Sequence, residues 1–108
     1  MSFPTADMVN GMMRLTEARA IAEKIKQQRP DLADRLVTSD TRPLVRLVLP
    51  DSRSVACGLV QLGNVVNWIV TTPDSDLEAD MEHRFDTHTK DELAAMTIAA
   101  YDELAARA

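Results

Sequence analysis

Cysteine occurs once in these 108 residues, glycine three times and aromatic side chains four times. Each scarcity excludes something. A single thiol, Cys57, cannot close an internal disulfide, and in a strand-like run it is expected to be a small buried hydrophobe rather than a nucleophile. The glycines are scattered at positions 11, 58 and 63, so no phosphate-cradling loop is present. There is no Gly-x-Ser-x-Gly, and no Cys–His pair lies on one recognisable element. No run approaches the roughly eighteen apolar residues of a membrane span. The N-terminus, Met-Ser-Phe-Pro-Thr-Ala-Asp, lacks the basic start and apolar stretch of a signal peptide, so a cytoplasmic location is expected.

What is present fits a single domain, residues 1–108, long enough to bury a core without metal or disulfide help. The net charge is −5, and it is unevenly spread. Residues 1–72 hold nine basic and seven acidic side chains, while residues 73–108 hold three basic and ten acidic ones. Asymmetry of this kind can steer partners, and it also arises where helix N-termini collect acids.

Helical spacing runs from a cap at Thr5 to about Gln28, where Pro30 stops it. Ala18, Ile21, Ala22 and Ile25 cluster on one face of that helix, while Met8, Val9 and Met12 lie about a third of a turn away. Asn10-Gly11 and Thr16 offer places for the helix to bend or restart. Pro30 to Leu36 reads as a short helical turn with proline in its favoured first position. Val37 to Arg42 reads as a polar connection. Three strands follow: Leu44–Leu49, Ser54–Val60 and Val65–Thr72, linked by Pro50-Asp51-Ser52-Arg53 and Gln61-Leu62-Gly63-Asn64. Links this short imply an antiparallel meander. Two capping boxes, Ser75…Glu78 and Thr89…Glu92, then open helices to about Phe85 and about Ala106. The expected fold is α+β: a three-stranded antiparallel meander with an N-terminal helical region and two C-terminal helices.

The strands do not alternate apolar and polar as a sheet with one wet face would. If both links have even length, one face collects Leu44, Arg46, Val48, Val55, Cys57, Leu59, Val66, Trp68 and Val70. The other collects Val45, Leu47, Leu49, Ala56, Gly58, Val60, Val65, Asn67 and Ile69. An odd link would reshuffle residues and leave both faces apolar. Two apolar faces require two covers, and the expectation is that the chain's helices cover one while a second copy or a partner covers the other.

Few constellations suggest chemistry. His83, Asp86, His88, Asp91 and Glu92 form the only cluster resembling metal ligands or an acid–base set. Its histidines are five apart across a helix break, not at the i, i+4 spacing that puts two on one helical face. The acidic series Asp74, Asp76, Glu78, Asp80, Glu82 lacks the glycine and terminal glutamate of a calcium loop. A charged, solvated face explains it, with acids near a helix N-terminus favoured by the dipole. No catalytic, cofactor-binding or metal residues are therefore assigned, no small-molecule substrate is evident, and no enzyme activity is expected.

Met8, Val9, Met12 and Met13 form an adaptable apolar patch suited to meeting another chain, and Trp68 is an anchor for a core or an interface. The functional expectation is a small non-enzymatic protein–protein interaction protein: an adaptor, inhibitor or assembly factor. It would act as a homodimer or bound to a larger partner, as phage and mobile-element accessory proteins often do. One alternative is a nucleic-acid-associated regulator using the basic N-terminal helix, with Arg14, Arg19, Lys24, Lys26, Arg29 and Arg35. The order helix, three strands, helix is similar to that of the YbaB/EbfC family of small dimeric nucleoid-associated proteins, from which the helix at 76–85 departs. The chain's acidity argues against strong binding to a phosphate backbone. A second alternative is an acidic DNA mimic whose surface includes Asp76, Asp80 and Glu82.

Overall fold

The N-terminal helix does not break at Asn10-Gly11 or at Thr16. In the computed structural model, which describes residues 6–62, 65–73 and 88–107, it is one helix, α1, Ala6–Gln28. Its side chains are described from Met13 onward. Ala18, Ile21, Ala22 and Ile25 are buried together, as their spacing requires. Pro30 ends the helix and starts a 3-10 turn, Pro30–Arg35, whose Leu32 joins the core. The proposed cap at Thr5 and the helix proposed to open at Ser75 lie outside the described residues.

The sheet has four antiparallel strands in the order β1-β2-β3-β4, not three. Their bounds are Leu36–Thr38, Leu44–Val48, Ser54–Leu62 and Val65–Thr71. The strand missed in the sequence is β1, which occupies the start of the expected polar connection. Three residues are too few to show a period. Only pairing with β2, Leu36 opposite Leu47 and Thr38 opposite Val45, defines it.

The phase of β2 also differs from the even-link expectation. Leu47 faces Val55 and Val48 faces Ser54, so three residues, Pro50, Asp51 and Ser52, link the strands. The amide of Ser52 donates to Leu49 O at 3.0 Å, and that of Leu49 donates to Arg53 O at 2.7 Å. Ser52 sits in the left-handed region at φ 76°, the bulge position of a three-residue hairpin, where glycine is favoured. We expect Ser52→Gly to raise stability by about 0.5–1 kcal/mol, read as an increased thermal midpoint, because it relieves a conformation that a Cβ disfavours.

The odd link moves β2 by one face. Leu36, Val45, Leu47, Val55, Cys57, Leu59, Trp68 and Val70 now share the inner face, given that directly opposed residues point the same way. Leu44, Arg46, Val48, Ser54, Ala56, Gly58, Val60, Asn67, Ile69 and Thr71 share the outer one. Apart from Thr38, opposite Val45 on the short strand β1, the inner-face residues named are apolar, while Arg46, Ser54, Asn67 and Thr71 lie outside.

The second helix, α2, Lys90–Ala106, has the predicted capping box, with Glu92 N donating to Thr89 Oγ1 at 3.1 Å and Thr89 N donating to Glu92 Oε1 at 3.4 Å. Both α1 and α2 cover the inner face, α1 over β1 and β2, α2 over β3 and β4, and they pack on each other. Leu93, Ala94, Ile98, Tyr101 and Leu104 of α2 close the core against Val45, Leu47, Val55 and Cys57. The first cover of the sheet is thus the chain's own pair of helices. On the outer face, Leu44, Val48, Ala56 and Val60 are only half-buried, and among the described residues no helix lies there. Ile69, 1% exposed, is buried outside the main core.

Arg53 fastens the first hairpin to α2. Its guanidinium donates to Leu104 O at 3.2 Å and to Arg107 O at 3.1 Å, with Nε on Asp51 Oδ2 at 2.7 Å. The last turn of α2 holds no basic residue of its own, so the cation that suits its negative end comes from the sheet. Arg29 makes a comparable link between the end of α1 and α2, bidentate to Asp31 and 2.8 Å from Asp102.

Candidate interaction surface

The side chain most informative about this surface is Trp68. It lies on the inner face of β4, at the sheet edge, half-buried against the core. An indole N–H taken from water needs an acceptor. Here Nε1 donates to Glu17 Oε2 at 3.2 Å, which draws the middle of α1 to the edge strand. Arg14, one turn earlier, meets the same oxygen at 3.6 Å.

The backbone of Trp68 is also held. Opposite it, the Leu59 amide donates to Pro43 O on the β2 side, so Leu59 and Trp68 form a pair without ladder bonds and the Trp68 amide points outward. It donates to Asn67 Oδ1 at 2.9 Å. A side chain thereby blunts the centre of an apolar edge strand that would otherwise template pairing with another chain.

Around Trp68 is a cleft of about 280 Å³ whose apolar lining is Ile21, Leu59, Val66, Leu93 and Trp68. Its polar lining is Arg14, Glu17, Asn67, His88 and Lys90. Val66, two residues before Trp68 on the same face, is 43% exposed, and Met13, one turn before Glu17 on α1, is 57% exposed. Of the large hydrophobics described, the only other one so exposed is Val37 on the short edge strand β1. Of the proposed interface residues, Trp68 is thus tied through Glu17 to the stretch of α1 that carries Met13 one turn earlier. The side chains of Met8, Val9 and Met12 lie outside the described ones, although their backbone continues α1 toward the N-terminus. Glu17, Val66 and Lys90 were not singled out in the sequence. The need of an indole for an acceptor was a signal, but nothing local identified Glu17 as that acceptor.

The described members of the loose metal-like cluster, His88, Asp91 and Glu92, do not converge. His88 Nδ1 lies 3.3 Å from Glu92 Oε2, inside the capping box, and His88 followed by Thr89 holds the Glu92 carboxyl below its ordinary value. Asp91 turns away to Lys24 at 3.4 Å. His83 and Asp86 lie outside the described residues, as do Asp76, Asp80 and Glu82. Among the described residues no group of three histidine, cysteine or acidic side chains could hold a metal ion.

Cys57 is fully buried under α2. Burial pushes its thiol up to about 11, with the Thr97 hydroxyl acting in the opposite direction. At neutral pH it stays protonated, and the thiol rather than the reactive thiolate is present. Thr97 is satisfied by its own helix, donating to Leu93 O at 2.7 Å.

Of the six basic residues named along the N-terminal region, four are in ion pairs: Arg14 with Glu17, Lys24 with Asp91, Lys26 with Glu23, and Arg29 with Asp31 and Asp102. No helix among the described residues is long and apolar enough to cross a membrane.

Compared with protein-family models, with curated proteins and with solved structures, the chain matches none.

Proposed function

We propose that this chain is a small non-enzymatic interaction protein, acting as a homodimer or bound to a larger protein, and that it docks through the Trp68 end of the fold. The observation that carries this reading is the placement of Met13 and Val66. Val66 stays exposed on the lining of a cleft that holds the only tryptophan, and Met13 stays exposed on α1, next in sequence to the lining residue Arg14 and one turn before Glu17. Adaptable methionine and a pocket-lining aromatic are the residue types on which interfaces concentrate binding energy. Among the described residues, the buried, protonated Cys57 thiol and the diverging Asp91 and Glu92 carboxylates offer a catalytic reading no converging set. With four basic residues already paired, the regulator alternative has a weaker electrostatic footprint than its sequence suggested.

The test is the double variant Met13→Glu, Val66→Glu. Both positions are exposed, so circular dichroism and the thermal midpoint should stay close to those of the unaltered protein. Sedimentation of the purified chain, alone and after tagged recovery from its host, should show a complex with itself or another protein that the variant no longer forms. An unaltered protein that is monomeric and partnerless, or a variant that retains the complex, overturns the proposal.

A further inference from the structure

The polar wall of the Trp68 cleft is unbalanced in hydrogen-bonding character. Glu17 is its only carboxylate among the described residues, and its Oε2 already accepts from Trp68 Nε1 and faces Arg14. Arg14 makes that contact at 3.6 Å, an ion pair without a hydrogen bond. Lys90, exposed on the first turn of α2, is in no ion pair or hydrogen bond among the described residues. His88, also on the lining, is engaged through Nδ1 with Glu92 at 3.3 Å. Among the described lining residues two cations, Arg14 and Lys90, stand against one carboxylate, Glu17, around the apolar floor of Ile21, Leu59 and Leu93.

From this we infer that the cleft binds a peptide segment in which an apolar side chain stands next to carboxylates. The apolar side chain fills the floor, and the carboxylates meet Lys90 and Arg14. A cleft of about 280 Å³ is at the small end of ligand sites, which suits one anchoring side chain rather than a long groove-bound helix. A polyphosphate is disfavoured because it has no apolar group to fill the floor of Ile21, Leu59 and Leu93. The inference rests on the reading of this end as a docking surface and adds the chemistry of what docks.

Trp68 is the sole tryptophan, so its fluorescence reports the cleft directly. The probe is a blocked peptide, Glu-Asp-Leu-Phe-Glu-Asp, titrated against the full chain beside its neutral counterpart, Gln-Asn-Leu-Phe-Gln-Asn. The expected result is a saturable change in Trp68 emission with the acidic peptide, at an affinity at least roughly fivefold higher than with the neutral one. The binding should weaken as salt rises. Lys90→Glu should reduce acidic-peptide affinity by a similar factor while the fold persists, since an acid in the first turn of a helix is favourable. Equal binding of the two peptides, unaltered binding by Lys90→Glu, or no saturable response overturns the inference. Complex formation with the chain's own partner is a separate readout from the two probe peptides, so the docking surface can stand when the acidic preference fails.

Discussion

Leu47→Ala should lower the stability of this protein by about 3 kcal/mol, whereas Val48→Ala, one residue on, should cost less than about 1 kcal/mol. Leu47 is fully buried on the inner sheet face among the α1 and α2 side chains. Truncating it removes apolar burial and leaves a cavity that a core between two helices and a sheet cannot fully close. Val48 faces outward and is only half-buried. Denaturant unfolding of the two variants measures both costs, and the first should appear as a fall in thermal midpoint on the order of 10–20 °C. The comparison is sensitive to strand phase. With an even-length first link, Val48 rather than Leu47 would share a face with Val55 and Cys57. Equal or inverted costs would therefore contradict the three-residue link and the placement of both helices on the Leu47 side.

The second large effect is expected at Arg53. Arg53→Ala should destabilise the fold by about 1–2 kcal/mol, because two carbonyls at the end of α2, Leu104 O and Arg107 O, lose their charged donor. The contact joins the β2–β3 link to the C-terminus of α2, two parts of the chain with no other shared cap at that end among the described residues. The same variant should alter the acid limb of stability. The Arg53 backbone amide, followed by its guanidinium, holds the Asp51 carboxyl below its ordinary value. A carboxyl lowered in the folded state stabilises above its unfolded pKa, and the contribution is lost as pH falls through the folded pKa. In Arg53→Ala the backbone bond remains and the guanidinium does not, so stability should fall less steeply between about pH 5 and pH 3. Lysine at this position should restore only part of the loss, since an ammonium lacks the planar fork that reaches two carbonyls and Asp51 together. Thermal denaturation across that pH range distinguishes these outcomes.

Much of the architecture was legible because the signals were local. Pro30 stops α1 and opens the 3-10 turn; Thr89 and Glu92 start α2; Ala18, Ile21, Ala22 and Ile25 share one helical face. Two features were not legible for the same reason. Leu36–Thr38 is too short for alternation to show, and becomes a strand only through its pairing with Leu47, Arg46 and Val45. The odd first link depends on Ser52 adopting a left-handed conformation that its side chain does not advertise. The expectation that two apolar faces need two covers survives in part. One face is closed by α1 and α2, and the outer face, less apolar than expected because Arg46, Ser54, Asn67 and Thr71 lie on it, keeps Leu44 and Val60 half-buried. At the candidate surface, Met13 and Trp68 could be named from residue type alone. That Trp68 is bonded to Glu17, one turn from Met13, is a tertiary fact, since the acceptor of the indole is fifty-one residues away.

Docking at the Trp68 end can be read most directly by photo-crosslinking inside the host cell. A benzophenone amino acid placed at Val66, on the rim of the cleft, is compared with one at Asp34, exposed on the 3-10 turn. The account predicts a discrete covalent adduct, to a second copy or to another protein, from position 66 and none from position 34. No adduct from 66, or the same adducts from both positions, would contradict it.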